Sequence, residues 1–349
     1  MKEIGSIYSL STLEKLPCPP ILLAGENAVY SSLCREALLA IAQKYRESNK
    51  KALLPAYTCQ TVIDPFLQEG WVIDYYNITN QLRIDTEDLW SKYEAFKPNL
   101  CIAHPYYGAD LNQLELKSLA ALKDQGCILV EDLTQCVFST QYSKIFDYFT
   151  GSYRKWFPIP DGAFLIGKNL SQEEKEENQE FVQAMADAMY LRGTFHQTGD
   201  VNVKDISRRV CNIAIGHISG AIVPHKISDL SMTLLSKIDV EATKKQRFTN
   251  YKYLYDNLHG GNDCFPVERN FEELTCSPLF FPIYVKDRPA LQKKLAQQEI
   301  YAPVLWPVHT DTVLINEGIK RIYDEILMLP IDQRYGVEDM KRMIEVIKS

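Results

Sequence analysis

Ile128-Leu129-Val130-Glu131-Asp132-Leu133-Thr134-Gln135 is an apolar, branched run that ends abruptly in two acids and a polar turn. About twenty residues later comes Gly151-Ser152-Tyr153-Arg154-Lys155-Trp156-Phe157-Pro158-Ile159-Pro160-Asp161-Gly162, a lysine among aromatics ahead of a Pro/Gly turn and the apolar run Phe164 to Ile166. The first stretch reads as a buried strand, and in open α/β sheets ligands sit at the carboxyl ends of strands. Two nucleotide-site readings and a serine-nucleophile reading fail for want of their motifs. The chain has no GxxxxGK[ST] phosphate loop to make Glu131-Asp132 a magnesium strand, no GxGxxG after an early strand, and no GxSxG elbow for a nucleophilic serine. Alone, Lys155 reads as a surface lysine with a snorkelling stem. Beside the Asp132 strand, and partly desolvated by its aromatic neighbours, it reads instead as an amine nucleophile.

Working outward, similar runs recur at Ala52 to Leu54, Val72 to Tyr76 and Leu100 to His104, separated by segments of helical period at Ala37 to Tyr45 and Leu114 to Lys123. That alternation predicts an α/β fold with crossover helices. Residues 171–235 begin with a charge run and read as mostly helical, Phe181 to Leu191 being the clearest part. A long helix over Ile238 to Leu258 reads as the link to a small α+β domain. In that domain the expected elements are a strand at Leu279 to Val285, a helix at Arg288 to Gln298, a strand at Ala302 to Leu305 and a closing helix at Val337 to Lys348. The division expected is therefore a large domain, 1–237, and a small one, 238–349.

Composition bounds the class. With 349 residues, 46% hydrophobic and 24% charged, the chain is an ordinary globular one, long enough for two cores. A net charge of -7 speaks against a nucleic-acid partner, which would require a basic face. Nine cysteines with no CxxC pair read as reduced thiols rather than a disulfide frame or zinc site, so no metal is expected. Met1 to Leu10 lacks a leader pattern, no apolar run is long enough to span a bilayer, and the cytoplasm is the expected location.

Chemistry with pyridoxal 5'-phosphate (PLP) asks for a lysine to form the imine, a carboxylate on the pyridine nitrogen, a phosphate cradle and a group packed on the ring. Lys155 and Asp132 supply the first two. Ser31 to Leu38 opens a helix whose free N–H groups suit a phosphate, and Ser152 adds a hydroxyl.

The same residues, in order, resemble the DegT/DnrJ/StrS family of PLP-dependent aminotransferases of fold type I. Pro55-Ala56-Tyr57-Thr58 resembles its Pro-x-x-Thr loop, His104-Pro105-Tyr106-Tyr107-Gly108 its strand ending in Tyr-Gly, and Glu131-Asp132-Leu133-Thr134-Gln135 its Glu-Asp-x-x-Gln. Leu329-Pro330-Ile331-Asp332-Gln333-Arg334-Tyr335 resembles its C-terminal motif. The resemblance implies a three-layer α/β fold with a mostly parallel seven-stranded sheet and a small C-terminal α+β domain. It implies Lys155 as the Schiff-base lysine and catalytic acid and base, Asp132 on the pyridine nitrogen, Gln135 at the phenolic oxygen, and Cys34 and Arg35 giving backbone N–H groups to the phosphate. Thr58, Cys59, Tyr107 and Ser152 complete the expected cofactor set, with Tyr57 or Tyr107 stacking on the ring. Arg334 is expected to hold a substrate carboxylate, and Trp306 and His309 to line the site.

The implied activity moves an amino group from an amino-acid donor, glutamate, to a keto acceptor, a nucleotide-linked keto sugar, in a homodimer with shared active sites. The alternatives are another PLP reaction, such as a lyase or an amino-acid aminotransferase, and a non-catalytic relative acting as a binding protein. Three departures from the family stand out. Ser152 is only three positions before Lys155, Cys34-Arg35 replaces Gly-Thr, and Cys59 stands where an aromatic is common.

Overall fold

Short apolar runs too brief for helices become strands, and the helical periods between them become crossovers. The computed structural model describes residues 2–10, 28–170, 175–258, 264–268, 271–308 and 317–349. In chain order the first part comprises β1 (Val29–Ser31), α1 (Cys34–Lys44), β2 (Lys51–Pro55), α2 (Gln60–Gln68), β3 (Val72–Tyr76), α3 (Thr86–Phe96), β4 (Leu100–Ala103), α4 (Gln113–Asp124), β5 (Ile128–Asp132), β6 (Tyr148–Ser152) and β7 (Ala163–Gly167). These strands form one seven-stranded sheet in the order β1-β7-β6-β5-β4-β2-β3. The pairs from β3 to β6 are parallel, while β6 with β7 and β7 with β1 are antiparallel. The mostly parallel sheet is therefore present. Every residue of β4 is buried, as a parallel strand covered on both faces requires.

Local signals set the boundaries. Asn112 accepts from Glu115 N at 3.0 Å while Glu115 returns a bond to Asn112 N at 2.7 Å, and this reciprocal cap starts α4. Gly126, at φ +87°, turns the chain from α4 into β5.

The second part comprises α5 (Gln179–Thr198), α6 (Val201–Gly216), α7 (Asp229–Leu235), α8 (Val240–Asn257), β8 (Cys264–Pro266), β9 (Phe280–Val285), α9 (Arg288–Gln297), α10 (Glu317–Glu325), β10 (Ile326–Pro330) and α11 (Val337–Lys348). Its antiparallel sheet runs β10-β9-β8. One apolar cluster covers the large sheet and takes in Trp306, Ile322 and Tyr323 from the C-terminal part. Another joins α8, β9, β10 and α11 through Leu254, Phe281, Ile283, Leu329 and Met343. Each such large side chain contributes about 1.5–3 kcal/mol on burial.

The expected strand at Ala302 to Leu305 is absent. Pro303 has no N–H to give a ladder, and its carbonyl instead accepts from Met328 N at 3.1 Å, while β10 takes the place beside β9. β1 and β6 were not anticipated. No helix among the described residues is long and apolar enough to cross a membrane.

Candidate active site

β4 and β5 run parallel, so their carboxyl ends deliver His104 and Asp132 to the same edge of the sheet. There, together with the first turn of α1 and the loop after β6, they wall a cavity of about 90 Å³. Asp132 is buried and fixed: one carboxylate oxygen accepts from Thr134 N at 2.9 Å and the other lies 3.6 Å from His104 Nδ1. His104 Nε2 meets Thr58 Oγ1 at 2.7 Å. Burial lowers the His104 pKa despite the nearby Asp132, which keeps the imidazole neutral.

A short 3-10 turn after β6, Tyr153–Lys155, projects Lys155 from the far side. Lys155 is exposed and lines both this cavity and a larger adjoining one of about 500 Å³. Gln135 is buried in the wall, and its Oε1 has no hydrogen-bond partner among the described residues. Leu33, the cap residue of α1, has no side-chain acceptor, so the first N–H groups of that helix face the cavity without a side-chain cap. Cys34 lines the wall, and burial pushes its thiol up to about 12, which leaves it a protonated wall residue rather than a nucleophile.

The structure brings Cys34, Arg35, Cys59, Asp132, Gln135, Ser152, Lys155 and Trp306 together around this cavity. Thr58 is fully buried and sits behind His104, which it braces, rather than in the wall. Tyr107 is also fully buried, at φ +49°, with its hydroxyl 3.5 Å from that of Tyr57. Neither tyrosine offers a face to the cavity: Tyr57 packs on Tyr106, Trp306 and Tyr323. The aromatic surfaces in the wall are those of His104 and Trp306.

Arg334 borders the larger cavity, yet four of its five N–H donors are taken within the chain. Nε and Nη2 bond both oxygens of Asp332 at 2.7 and 2.9 Å, and Nη1 and Nη2 bond the carbonyls of Ile7 and Ser6. His309 lies outside the described residues. His104 and Arg154 were missed as site residues. For His104 a signal existed, since it closes the strand run that ends at the ligand edge; for Arg154 there was none. Residues 171–235, which carried no motif, supply Met185 and Met189 of α5 and Ile215 of α6 to the larger cavity.

Elsewhere, Asp110, Cys136 and Cys276 converge in the interior with ligand atoms within 4.8 Å of one another. Cys136 Sγ is already engaged by Gly108 N at 3.2 Å and by the Pro105 carbonyl at 3.5 Å, so the group reads as the packing of three loops.

No protein-family model and no curated protein matches the sequence. Solved structures do match in shape. The sugar aminotransferase CalS13 from Micromonospora echinospora is 16% identical, with a TM-score of 0.68 over 92% of this chain and 87% of that one. Helicobacter pylori PseC, an aminotransferase involved in the biosynthesis of pseudoaminic acid, is 11% identical, with a TM-score of 0.66 over 99% of each chain. NtdA of Bacillus subtilis, solved with its cofactor PMP, is 17% identical, with a TM-score of 0.65 over 94% of this chain and 74% of that one. Sheet order, small C-terminal sheet and these likenesses agree: the chain has the type I fold of such aminotransferases.

Proposed function

We propose that the chain is a PLP-dependent aminotransferase that passes an amino group from an amino-acid donor, glutamate, to a keto sugar linked to a nucleotide. The observation that carries this reading is the convergence in one cavity of an exposed lysine, a fixed buried carboxylate, an amide oxygen without a partner among the described residues and a helix N-terminus whose cap residue offers no side-chain acceptor. Each fits PLP. Asp132 would hold the pyridine nitrogen protonated, Gln135 would meet the phenolic oxygen, His104 would pack on the ring, and α1 with Ser152 would receive the phosphate. When bound, the cofactor supplies an electron sink for the carbanion formed beside the substrate nitrogen.

The chain's own residues do the rest. Lys155 Nζ would bind the cofactor as an imine and, as a free amine, would hold and return the proton that moves during transfer. Thr134 N fixes one oxygen of Asp132 and so holds its carboxyl in place at the cavity wall. A neutral His104 adds no competing positive charge beside it. Trp306, Met185 and Met189 give the larger cavity beside Lys155 apolar walls. The likeness to sugar aminotransferases supports the acceptor class.

The same reading includes a homodimer. Its support is the α5–α6 hairpin, where Tyr190, Val201 and Ile213 are each more than half exposed. It also includes the cytoplasm, in keeping with eight free cysteines among the described residues. The test is spectroscopic. Protein mixed with PLP is expected to develop a visible absorption band that Lys155→Ala abolishes and that glutamate bleaches, with pyridoxamine phosphate appearing. A protein that stays colourless with PLP would refute the reading.

A further inference from the structure

Two arginines in the wall of the cavity form no ion pair among the described residues. Arg154, between Ser152 and Lys155, stacks its guanidinium 5.7 Å from the centroid of Phe181 and borders both cavities. Among the described residues its side chain makes neither a hydrogen bond nor an ion pair. Arg35, in the first turn of α1, gives one Nη to the carbonyl of Ile218, while its buried Nε has no partner among the described residues. No ion pair is formed by Arg35 there either. Burial lowers the pKa of both; Arg154 also feels the charge of Arg35, while Asp161 acts the other way on Arg154 and Glu36 and Asp64 act the other way on Arg35.

The nearby acids take hydrogen bonds elsewhere, Asp64 from Gln60 Nε2 at 2.6 Å. Asp161 receives Ser228 N and Oγ at 3.0 and 2.6 Å, together with Ser231 Oγ. Glu36 accepts Leu33 N and His225 N. Asp132 belongs to Thr134 N and His104. Two partly desolvated guanidiniums in one wall, neither in an ion pair among the described residues, leave positive charge that the more distant acids offset only in part, and the partial positive charge at the α1 N-terminus adds to it. A dianion between them removes it, and a phosphate monoester has the oxygens to meet two planar forks.

We propose that the side chains of Arg35 and Arg154 together grip the phosphate of the cofactor, beside Ser152 and the first turn of α1. They would supply from within one chain the charge that the altered Cys34-Arg35 helix start and the shortened Ser152 to Lys155 loop do not otherwise provide. This rests on the PLP reading above. The pair is a pair of positioning residues, acting on the phosphate and not on the reacting atoms.

The test compares two aldehydes. The purified full chain, freed of cofactor, is titrated with PLP and with pyridoxal, which has the same ring and no phosphate, and the visible band is followed. The unaltered protein is expected to prefer PLP strongly. Arg154→Met and Arg35→Met are each expected to weaken PLP binding ~10- to 100-fold while leaving pyridoxal binding unchanged, so that the preference collapses. Arg154→Lys and Arg35→Lys, which keep the charge and lose the fork, are expected to fall between, and they stand in if a methionine variant fails to fold. Inorganic phosphate should weaken PLP binding to the unaltered protein and leave pyridoxal binding untouched. A PLP preference that survives in the Arg154 and Arg35 variants overturns the proposal and leaves the cofactor reading standing. An unaltered protein that binds neither aldehyde overturns both.

Discussion

Asp132, His104 and Thr58 form a chain of contacts in which each residue sets the next. Because burial keeps His104 neutral, one ring nitrogen donates and the other accepts, and the contacts with Asp132 and Thr58 Oγ1 decide which. Thr58→Val keeps the shape and deletes the 2.7 Å bond, leaving a buried ring nitrogen unsatisfied. The expected cost is about 1–3 kcal/mol, read as a lower urea midpoint at unchanged slope. An unaltered midpoint would show that the bond does not hold His104.

At this scale legibility depended on orientation. Asp132 and Lys155 were legible because strand ends and turns announce them. Thr58 and Tyr107 were located in the right loops but not on the right side, since loop residues lack the alternation that tells inward from outward. Arg154 beside Lys155 looks, in sequence, like any solvated basic pair; only the fold puts Phe181 under it.

α1 shows how one element serves both fold and site. Its first turn faces the cavity, while Glu36 in that turn is buried and ties down Leu33 N and His225 N. Burial pushes the Glu36 carboxyl from 4.5 up to about 7. The folded chain therefore holds a proton that the unfolded chain releases first. The contribution is intact below the unfolded value and is lost as pH rises through about 7. Glu36→Gln removes this dependence. Between pH 4.5 and 8 the unaltered protein is expected to lose about 3 kcal/mol relative to the variant, measured by urea unfolding across the range. Parallel pH profiles would contradict the buried, protonated glutamate.

Elements with strong periodicity were the legible ones: β3 and α11 lie where the pattern put them. β6 was missed because Tyr148-Phe149-Thr150-Gly151-Ser152 contains a glycine that reads as a turn. Here that glycine is required, since a Cβ on Gly151 would lie 2.6 Å from the Phe164 ring across the sheet.

Over the whole molecule the two ends of the chain are clasped together, and the clasp borders the larger cavity. Arg334 joins Asp332 to the carbonyls of Ser6 and Ile7 and stacks 4.1 Å from the Tyr8 ring centroid. Despite burial, which acts the other way, Arg334 holds the Asp332 carboxyl below its usual range. Arg334→Ala would strand that buried carboxylate, and the expected loss is about 3–5 kcal/mol in unfolding experiments. A variant of unchanged stability whose only defect is a raised KM for the amino donor would instead restore Arg334 to the role of substrate anchor. The family pattern pointed to Arg334, but a motif does not record what a guanidinium binds.

Lys155 remains the point on which everything converges. Lys144 and Lys168 are exposed as well, but neither borders the cavity that holds Asp132 and Gln135. Borohydride reduction of the PLP-loaded protein, followed by peptide mass spectrometry, locates the attached cofactor directly. The predicted result is a single pyridoxyl adduct on Lys155; an adduct on Lys144 or Lys168, or none at all, would contradict the account.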